Sequence, residues 1–283
     1  MIYLSTGGFS LLNGYETSKL FAENNITHIE LSGGTQDVEQ SDKLLSLNSE
    51  CNFQIHNYFP PPQEAFVFNL ASEDKLISAK SVNHAYRAID LAEKLDSKFY
   101  SFHAGFLMDP DVNELGKQFT KGKLNKRESA IGVFVDRVNR ISSYAKEKGI
   151  MILLENNVIS KANLNHFGTN PFLMTDHLEA LQIMNSTDDN VGLLVDVAHL
   201  KVSSDSENFC KHEYLDSTSD FTFAYHFSDN DGKSDTNEEV GTDSWFWSEV
   251  RKDLNYYTLE VYNQNLKALA QQIKLTEKML SFS

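Results

Sequence analysis

Acidic residues and histidines recur where six successive apolar segments of the chain end. The motifs are QIHNY, SFHAG, LLENN, VDVAH, AYHFSDNDGKSD and TLEVYN, and they contribute His56, His103, Glu155, Asp196, His199, His226, Asp235 and Glu260. Carboxylates beside apolar segments cost several kcal/mol to bury alone, so a compensating charge is expected. Carboxylate and imidazole ligands without thiolate suit Mn²⁺, Mg²⁺, Co²⁺, iron or Zn²⁺. The pattern therefore predicts a divalent-metal site.

Each of these residues also has a structural explanation when it is taken alone. A carboxylate at the end of a strand often pairs with a lysine or arginine, or caps the next helix. The acids of the DNDGKSD loop (Asp229, Asp231 and Asp235) accompany Gly232, as turn-forming residues do. It is the joint pattern over six segments that favours a site. Beside it, Asn156 and Lys233 are predicted substrate-binding residues.

The elements that must position these residues are short β-type segments separated by helical patterns. Segments such as IMILLE and VGLLVD are continuously apolar, which is typical of strands buried on both faces. The predicted strands are Met1–Ser5, Thr27–Leu31, Asn52–Asn57, Lys98–Ala104, Ile150–Glu155, Val191–Asp196, Thr222–Phe227 and Tyr256–Val261. The clearest predicted helices are Asp74–Asp96, Lys126–Lys148 ended by Gly149, Asn170–Met184 opened by Asn170-Pro171, and Asn263–Leu280.

Eight β/α units in series predict either a closed barrel or an open, doubly wound sheet. An open sheet would usually carry a glycine-rich phosphate loop, and Gly7-Gly8 belongs to neither common motif of that kind. We therefore expect an α/β protein with a (β/α)8 TIM barrel, spanning residues 1–283 as one domain. In such a barrel the carboxyl ends of all strands meet at one mouth.

Composition limits the partners and the compartment. The formal net charge is −15, from 40 acidic and 25 basic residues, which disfavours nucleic acid as a ligand. No apolar stretch is long enough to cross a membrane, and the N-terminus lacks the pattern of a signal peptide. The two cysteines, Cys51 and Cys210, form no CxxC pair, which suits a reducing compartment. We expect a cytoplasmic protein.

The same motifs resemble the xylose isomerase-like barrel superfamily, which includes sugar isomerases and epimerases and endonuclease IV. The resemblance covers almost the whole chain. In the epimerase branch it implies one cation held by Glu155, Asp196, His226 and Glu260.

The segments FNLASEDKLISAKS and AIDLAEKLDSKFYSFHAG also resemble endonuclease IV. That resemblance implies further zinc ligands or substrate contacts at His56, His103, His199 and Asp235. A second histidine of the family's third zinc site is replaced here by Asn237. Because a neutral amide oxygen is a weak zinc ligand, the third site is predicted to be incomplete.

The leading hypothesis is a metal-dependent isomerase or epimerase that acts on a sugar, sugar phosphate or related polyol through an enediolate. Glu155 and Glu260 would exchange roles as base and acid. The alternatives are a zinc-dependent phosphodiesterase like endonuclease IV, a metal-dependent dehydratase, and a barrel that only binds a ligand.

Overall fold

The eight predicted β segments form one closed, all-parallel barrel in a computed structural model that describes residues 1–114, 117–119 and 122–281. The strands are β1 (Ile2–Ser5), β2 (His28–Ser32), β3 (Asn52–His56), β4 (Phe99–His103), β5 (Met151–Glu155), β6 (Val191–Asp196), β7 (Thr222–Phe227) and β8 (Tyr256–Leu259). Each strand pairs with the next, and β8 closes the ring on β1. The predicted (β/α)8 barrel is therefore confirmed.

Helices connect the strands on the outside of the barrel. They are α1 (Gly14–Ala22), α2 (Gln40–Leu45), α3 (Lys75–Lys94), α4 (Arg127–Glu147), α5 (Lys161–Phe167), α6 (His177–Met184), α7 (Val197–Glu207), α8 (Lys211–Ser217) and α9 (Leu266–Leu280). Short 3-10 turns occupy Gly7–Phe9, Val112–Glu114 and Ser219–Phe221. No helix in the described part of the chain is long and apolar enough to span a bilayer.

Local capping explains where the predicted helices begin and end. Asp74 precedes α3, and its carboxylate accepts hydrogen bonds from the amides of Leu76 and Ile77. Gly149, which was expected to end the predicted helix Lys126–Lys148, follows α4 with a φ of +70°, a conformation that glycine adopts without strain.

The predicted start of the helix at Asn170-Pro171 is wrong, because α6 begins at His177. Asp176 is its N-cap and accepts hydrogen bonds from the amides of Leu178 and Glu179. Asn170 instead folds the loop before it, where its Oδ1 accepts from the amide of Phe172 at 2.9 Å. Asparagine and aspartate are about equally favourable as N-cap residues, and the helix begins after Asp176, six positions beyond Asn170.

The barrel interior changes from apolar to polar along its axis. One small cluster of buried side chains fills its lower part: Tyr3, Leu153, Leu194, Ala224 and Tyr256. A much larger cluster lies between the sheet and the helices. Towards the carboxyl ends of the strands the interior contains polar and charged groups instead: Glu30, His56, Ser101, Glu155, Asp196, His226 and Thr258. The packed floor therefore positions a polar site above it.

Candidate metal centre at the barrel mouth

Strand register brings the predicted residues to the same level. His103 is the register partner of Glu155, and Asp196 is the register partner of His226. Glu260 follows the last residue of β8, and its amide donates to the carbonyl of Phe227 at 3.0 Å. Because the strands are parallel, these side chains converge at one end of the barrel.

One group of four residues could hold a cation together. Ligand atoms of Glu155, Asp196, His226 and Glu260 all lie within 4.8 Å of one another, and all four residues are buried. They approach one nitrogen, His226 Nδ1: Glu260 Oε2 lies 2.9 Å from it, Glu155 Oε1 3.2 Å and Asp196 Oδ2 3.9 Å. This is the set of ligands that the resemblance to the epimerase branch implies.

A second group adjoins the first and shares Glu155. His56, His103 and Glu155 also offer ligand atoms within 4.8 Å of one another. The second oxygen of Glu155, Oε2, lies 3.3 Å from His56 Nε2 and 3.2 Å from His103 Nδ1. Glu155 thus presents one oxygen to each group, which is the arrangement of a carboxylate between two cation positions.

The residues present fit a divalent cation. Both oxygens of Glu155, Oδ2 of Asp196 and Nδ1 of His103 are buried, and none has a hydrogen-bond partner among the described residues. Buried polar atoms are nearly always satisfied, so unsatisfied atoms in both groups indicate that each group needs a further partner. Carboxylate oxygens and imidazole nitrogens are suitable ligands for Mn²⁺, Co²⁺ and Zn²⁺.

Asp196 has two functions because it ends β6 and also caps α7. Its Oδ1 accepts a hydrogen bond from the amide of His199 at 2.7 Å, which leaves Oδ2 facing the site. The same cap orients His199, whose Nδ1 lies 3.0 Å from the carbonyl oxygen of Asn156. His199 Nε2 then lies 3.2 Å from Asp235 Oδ2. The predicted pair His199 and Asp235 is therefore together at the rim of the site.

The two predicted substrate-binding residues have different surroundings. Asn156 is fully buried, and its side chain bonds the backbone of Asp196: Nδ2 donates to the carbonyl at 3.1 Å, and Oδ1 accepts from the amide at 2.8 Å. Lys233 is exposed in the loop after β7. In that loop Asp229 Oδ1 lies 2.6 Å from Lys201 Nζ, so this acid is paired with a lysine.

Buried charges shift the pKa values of the site. Burial raises the pKa of Asp196 to about 7, against the opposing effect of His199. Although burial disfavours the imidazolium form of His226, the carboxylates of Glu30 and Glu155 raise its pKa well above the usual value. Burial lowers the pKa of His103 to about 4, although Glu155 opposes the shift. Without a cation, protons therefore neutralise part of the acidic cluster.

Two residues outside the predicted set of ligands touch the site: Glu30, whose place at the end of HIELSGG fits the same geometry but would equally suit a buried ion pair, and Tyr262, which the sequence does not indicate. Glu30, on β2, lies below His226, with Oε2 2.8 Å from His226 Nε2. The hydroxyl of Tyr262 donates to Glu260 Oε1 at 3.3 Å, and about half of this side chain is exposed. The signal for Glu30 is a charged residue inside the apolar strand HIELS, whereas Tyr262 lies beyond the end of its strand.

The family model described as xylose isomerase-like TIM barrel matches residues 14–279. The chain belongs to this family. The expected superfamily is therefore confirmed.

Individual relatives are distant. A probable endonuclease 4 from Persephonella marina (strain DSM 14350 / EX-H1) is 29% identical over 137 residues, which are 48% of this chain and 40% of that protein. A D-tagatose 3-epimerase-like protein shares the fold with a TM-score of 0.71 and 19% identity, over 99% of both chains. D-psicose 3-epimerase from Clostridium cellulolyticum H10, solved with D-tagatose, has a TM-score of 0.63 and 12% identity, covering 99% of this chain and 93% of its own.

Cation binding is expected to tighten as pH rises from about 6 to about 8. A cation must displace the protons on His226 Nδ1 and Asp196, and each displaced proton costs up to roughly tenfold in apparent affinity per pH unit below its pKa. Because the pKa of Asp196 is raised to about 7, its contribution levels off above that pH. Calorimetry with Mn²⁺, in buffers of different ionisation enthalpy, counts the protons released. An affinity independent of pH would contradict this assignment.

Asn237→His is expected to add about one zinc ion per chain, because His199 and Asp235 would gain the imidazole that the family pattern places there. Asn237→Ala is the matched control and should leave the zinc content unchanged. Elemental analysis after dialysis against buffered Zn²⁺ measures the difference. Equal zinc content in both variants would show that Asn237 does not limit the site.

Proposed function

We propose that the chain is a metal-dependent isomerase or epimerase acting on a sugar, sugar phosphate or related polyol. The observation that carries this proposal is the buried group of Glu155, Asp196, His226 and Glu260, in which the carboxylates of Glu155 and Glu260 lie 3.2 Å and 2.9 Å from one imidazole nitrogen. Epimerisation needs a base and an acid beside one polarised carbonyl, and two adjacent glutamates can fill both roles.

The metal would be held by these four residues, with Mn²⁺, Mg²⁺, Co²⁺ or Zn²⁺ as the candidates. When bound, a divalent cation supplies Lewis-acid polarisation of a substrate carbonyl. Glu260 is the better placed of the two carboxylates for proton exchange with substrate, because it is 7% exposed while Glu155 is fully buried. The hydroxyl of Tyr262, which donates to Glu260 Oε1, would hold that carboxylate towards the opening.

The proton transfer can be written for the chain's own groups. Glu260 removes the proton from the carbon next to the substrate carbonyl and keeps it, while the electron pair of that C–H bond forms the C=C bond of an enediolate. A second proton, carried by Glu155, then adds to the same carbon from the other face in an epimerase, or to the neighbouring carbon in an isomerase. Glu155 Oε1 lies 3.2 Å from the same His226 nitrogen that Glu260 Oε2 approaches at 2.9 Å, and Glu155 is the proposed acid of this second step. His199 and Lys233 are proposed to contact substrate oxygens.

Two features support this reaction over cleavage of nucleic acid. The net charge of −15 opposes binding to a polyanionic duplex. Asn237 also leaves the pair His199 and Asp235 without the third ligand of an endonuclease IV-type zinc site. Two proteins that share the fold, the D-tagatose 3-epimerase-like protein and D-psicose 3-epimerase, are sugar epimerases by name, which agrees with a sugar substrate.

Glu260→Gln and Glu155→Gln are each expected to reduce exchange of solvent deuterium into a keto-sugar by about 10²- to 10⁴-fold, because each removes one proton-transfer group. Proton NMR of a panel of keto-sugars with Mn²⁺-loaded protein measures the exchange. Glu207→Gln is the control: this half-buried carboxylate bonds Asn170 and Thr175, outside the site. Exchange at the wild-type rate in Glu155→Gln would remove it as acid or base.

A second candidate, hydrolysis of phosphodiesters, is favoured by one specific observation. Glu155 Oε2 lies between His56 and His103, which provides a second cation position beside the first. Two cations that share a carboxylate are suited to in-line displacement at phosphorus. The partial match to a probable endonuclease 4 agrees with this candidate.

Metal content and substrate separate the two candidates. If the chain is a diesterase, the wild type binds two zinc ions and cleaves bis(p-nitrophenyl) phosphate. His56→Ala and His103→Ala should then each lose about one ion per chain, and the rate of hydrolysis should fall by at least about 10²-fold in each. If it is an isomerase, deuterium exchange persists in both variants and no diester is cleaved. A wild-type protein without stoichiometric metal would contradict both.

A further inference from the structure

Glu30 is a fully buried carboxylate in the middle of β2, below the metal centre. A buried charge of this kind is costly unless several donors satisfy it. Its neighbours in register are Ser5 on β1 and Gln54 on β3, and neither is an arginine or a lysine. Its charge must therefore be compensated from within the barrel.

Three donors converge on one oxygen of Glu30. Its Oε2 accepts hydrogen bonds from the Tyr256 hydroxyl at 2.5 Å and from the Thr258 hydroxyl at 2.9 Å, and it lies 2.8 Å from His226 Nε2. Tyr256 and Thr258 are two positions apart on β8, so both point into the barrel. Because an ionised carboxylate only accepts, the hydrogen on this side of the imidazole is on Nε2.

The other nitrogen of His226 faces the four-residue group. With Nε2 occupied by Glu30, Nδ1 is directed at Glu155, Asp196 and Glu260, at the distances given above. His226 is fully buried between Glu30 and the carboxylates of the four-residue group, so turning its ring would break the contact with Glu30. Metal-bound histidines commonly donate their second N–H to a carboxylate, which fixes the ring and increases its basicity.

We propose that Glu30 is a positioning residue that holds His226 as the Nε2–H tautomer and thereby presents Nδ1 to the cation. Tyr256 and Thr258 hold the Glu30 carboxylate in turn. The tyrosine belongs to the apolar floor of the barrel, where it packs against Tyr3 with ring centroids 5.3 Å apart. The packed floor, Glu30 and His226 thus form one connected column under the metal centre. This inference rests on the proposed cation site and not on any particular reaction.

The test is the cation affinity of Glu30→Gln, measured by competition of Mn²⁺ and Zn²⁺ with a chelating dye. Loss of a carboxylate behind a ligating histidine is expected to weaken binding by about 10- to 100-fold, with the number of ions per chain unchanged. Tyr256→Phe and Thr258→Val are the matched controls. Each removes a donor to the same oxygen but keeps the contact with His226, and each should bind more tightly than Glu30→Gln.

A second measurement keeps the test independent of folding. Long-range ¹⁵N–¹H NMR of the metal-free protein reports which imidazole nitrogen of His226 carries its proton at high pH. The wild type should show the Nε2–H form, and Glu30→Ala should show a mixture of the two tautomers. Thermal unfolding in EDTA checks that the variants are folded.

Two results would overturn the proposal. Wild-type cation affinity in Glu30→Gln, with the tautomer unchanged in Glu30→Ala, would show that His226 is oriented without Glu30. Loss of one ion per chain in Glu30→Gln would show that Glu30 is itself a ligand, since Glu30, His56 and His226 also offer ligand atoms within 4.8 Å of one another. Neither result touches the proposed reaction, which fails separately if the Mn²⁺-loaded wild type exchanges no deuterium into any keto-sugar.

Discussion

The carboxylate of Glu155 is fully buried, and neither of its oxygens has a hydrogen-bond partner in the described parts of the chain. A charge in that situation is among the most expensive features that a protein interior can contain, unless other charges offset it. The mouth of the barrel supplies that offset with imidazoles on both sides: His226 by Oε1, and His56 and His103 by Oε2. Asp196 and Glu260 add two more acids, while burial lowers the pKa of His103 to about 4 and so keeps that imidazole neutral near pH 7. The resulting excess of carboxylates is the physical reason to infer a cation.

Everything beneath the cluster serves to hold it in position. The parallel register sets the level of each side chain, and the aromatic layer that includes Tyr3 and Tyr256 fills the barrel below it. Asp196 is fixed twice, by its strand and by its role as the cap of α7. Preorganisation of this kind suits catalysis because the groups do not need to move when charge develops on the substrate.

The differences from the metal sites that the resemblance implies bear on the proposed reaction. The shared position of Glu155 is compatible with two cations, while Asn237 stands where the resemblance to endonuclease IV implies an imidazole beside His199 and Asp235. The acidic overall charge disfavours binding to a nucleic-acid duplex, which agrees with the proposed small polar substrate. The barrel fold alone does not identify the reaction, since one fold supports many reactions and the side chains at its mouth determine which one occurs.

The sequence by itself determined the eight strands and their order. Apolar segments between turn signals are local features of the sequence, so they can be recognised without knowing how the chain folds. The motifs at the strand ends also placed a group of acids and histidines at one mouth, since strand ends in a parallel barrel converge there. The choice of Glu155, Asp196, His226 and Glu260 from that group came from the resemblance to the epimerase branch. Only the tertiary structure decided which atoms meet. The division of Glu155 between two groups, the contact of Glu30 with His226 and the approach of Tyr262 to Glu260 all depend on register and rotamer across strands far apart in sequence. The start of α6 escaped prediction for a related reason, because two local caps of similar strength were available and the contacts of the surrounding loop selected between them.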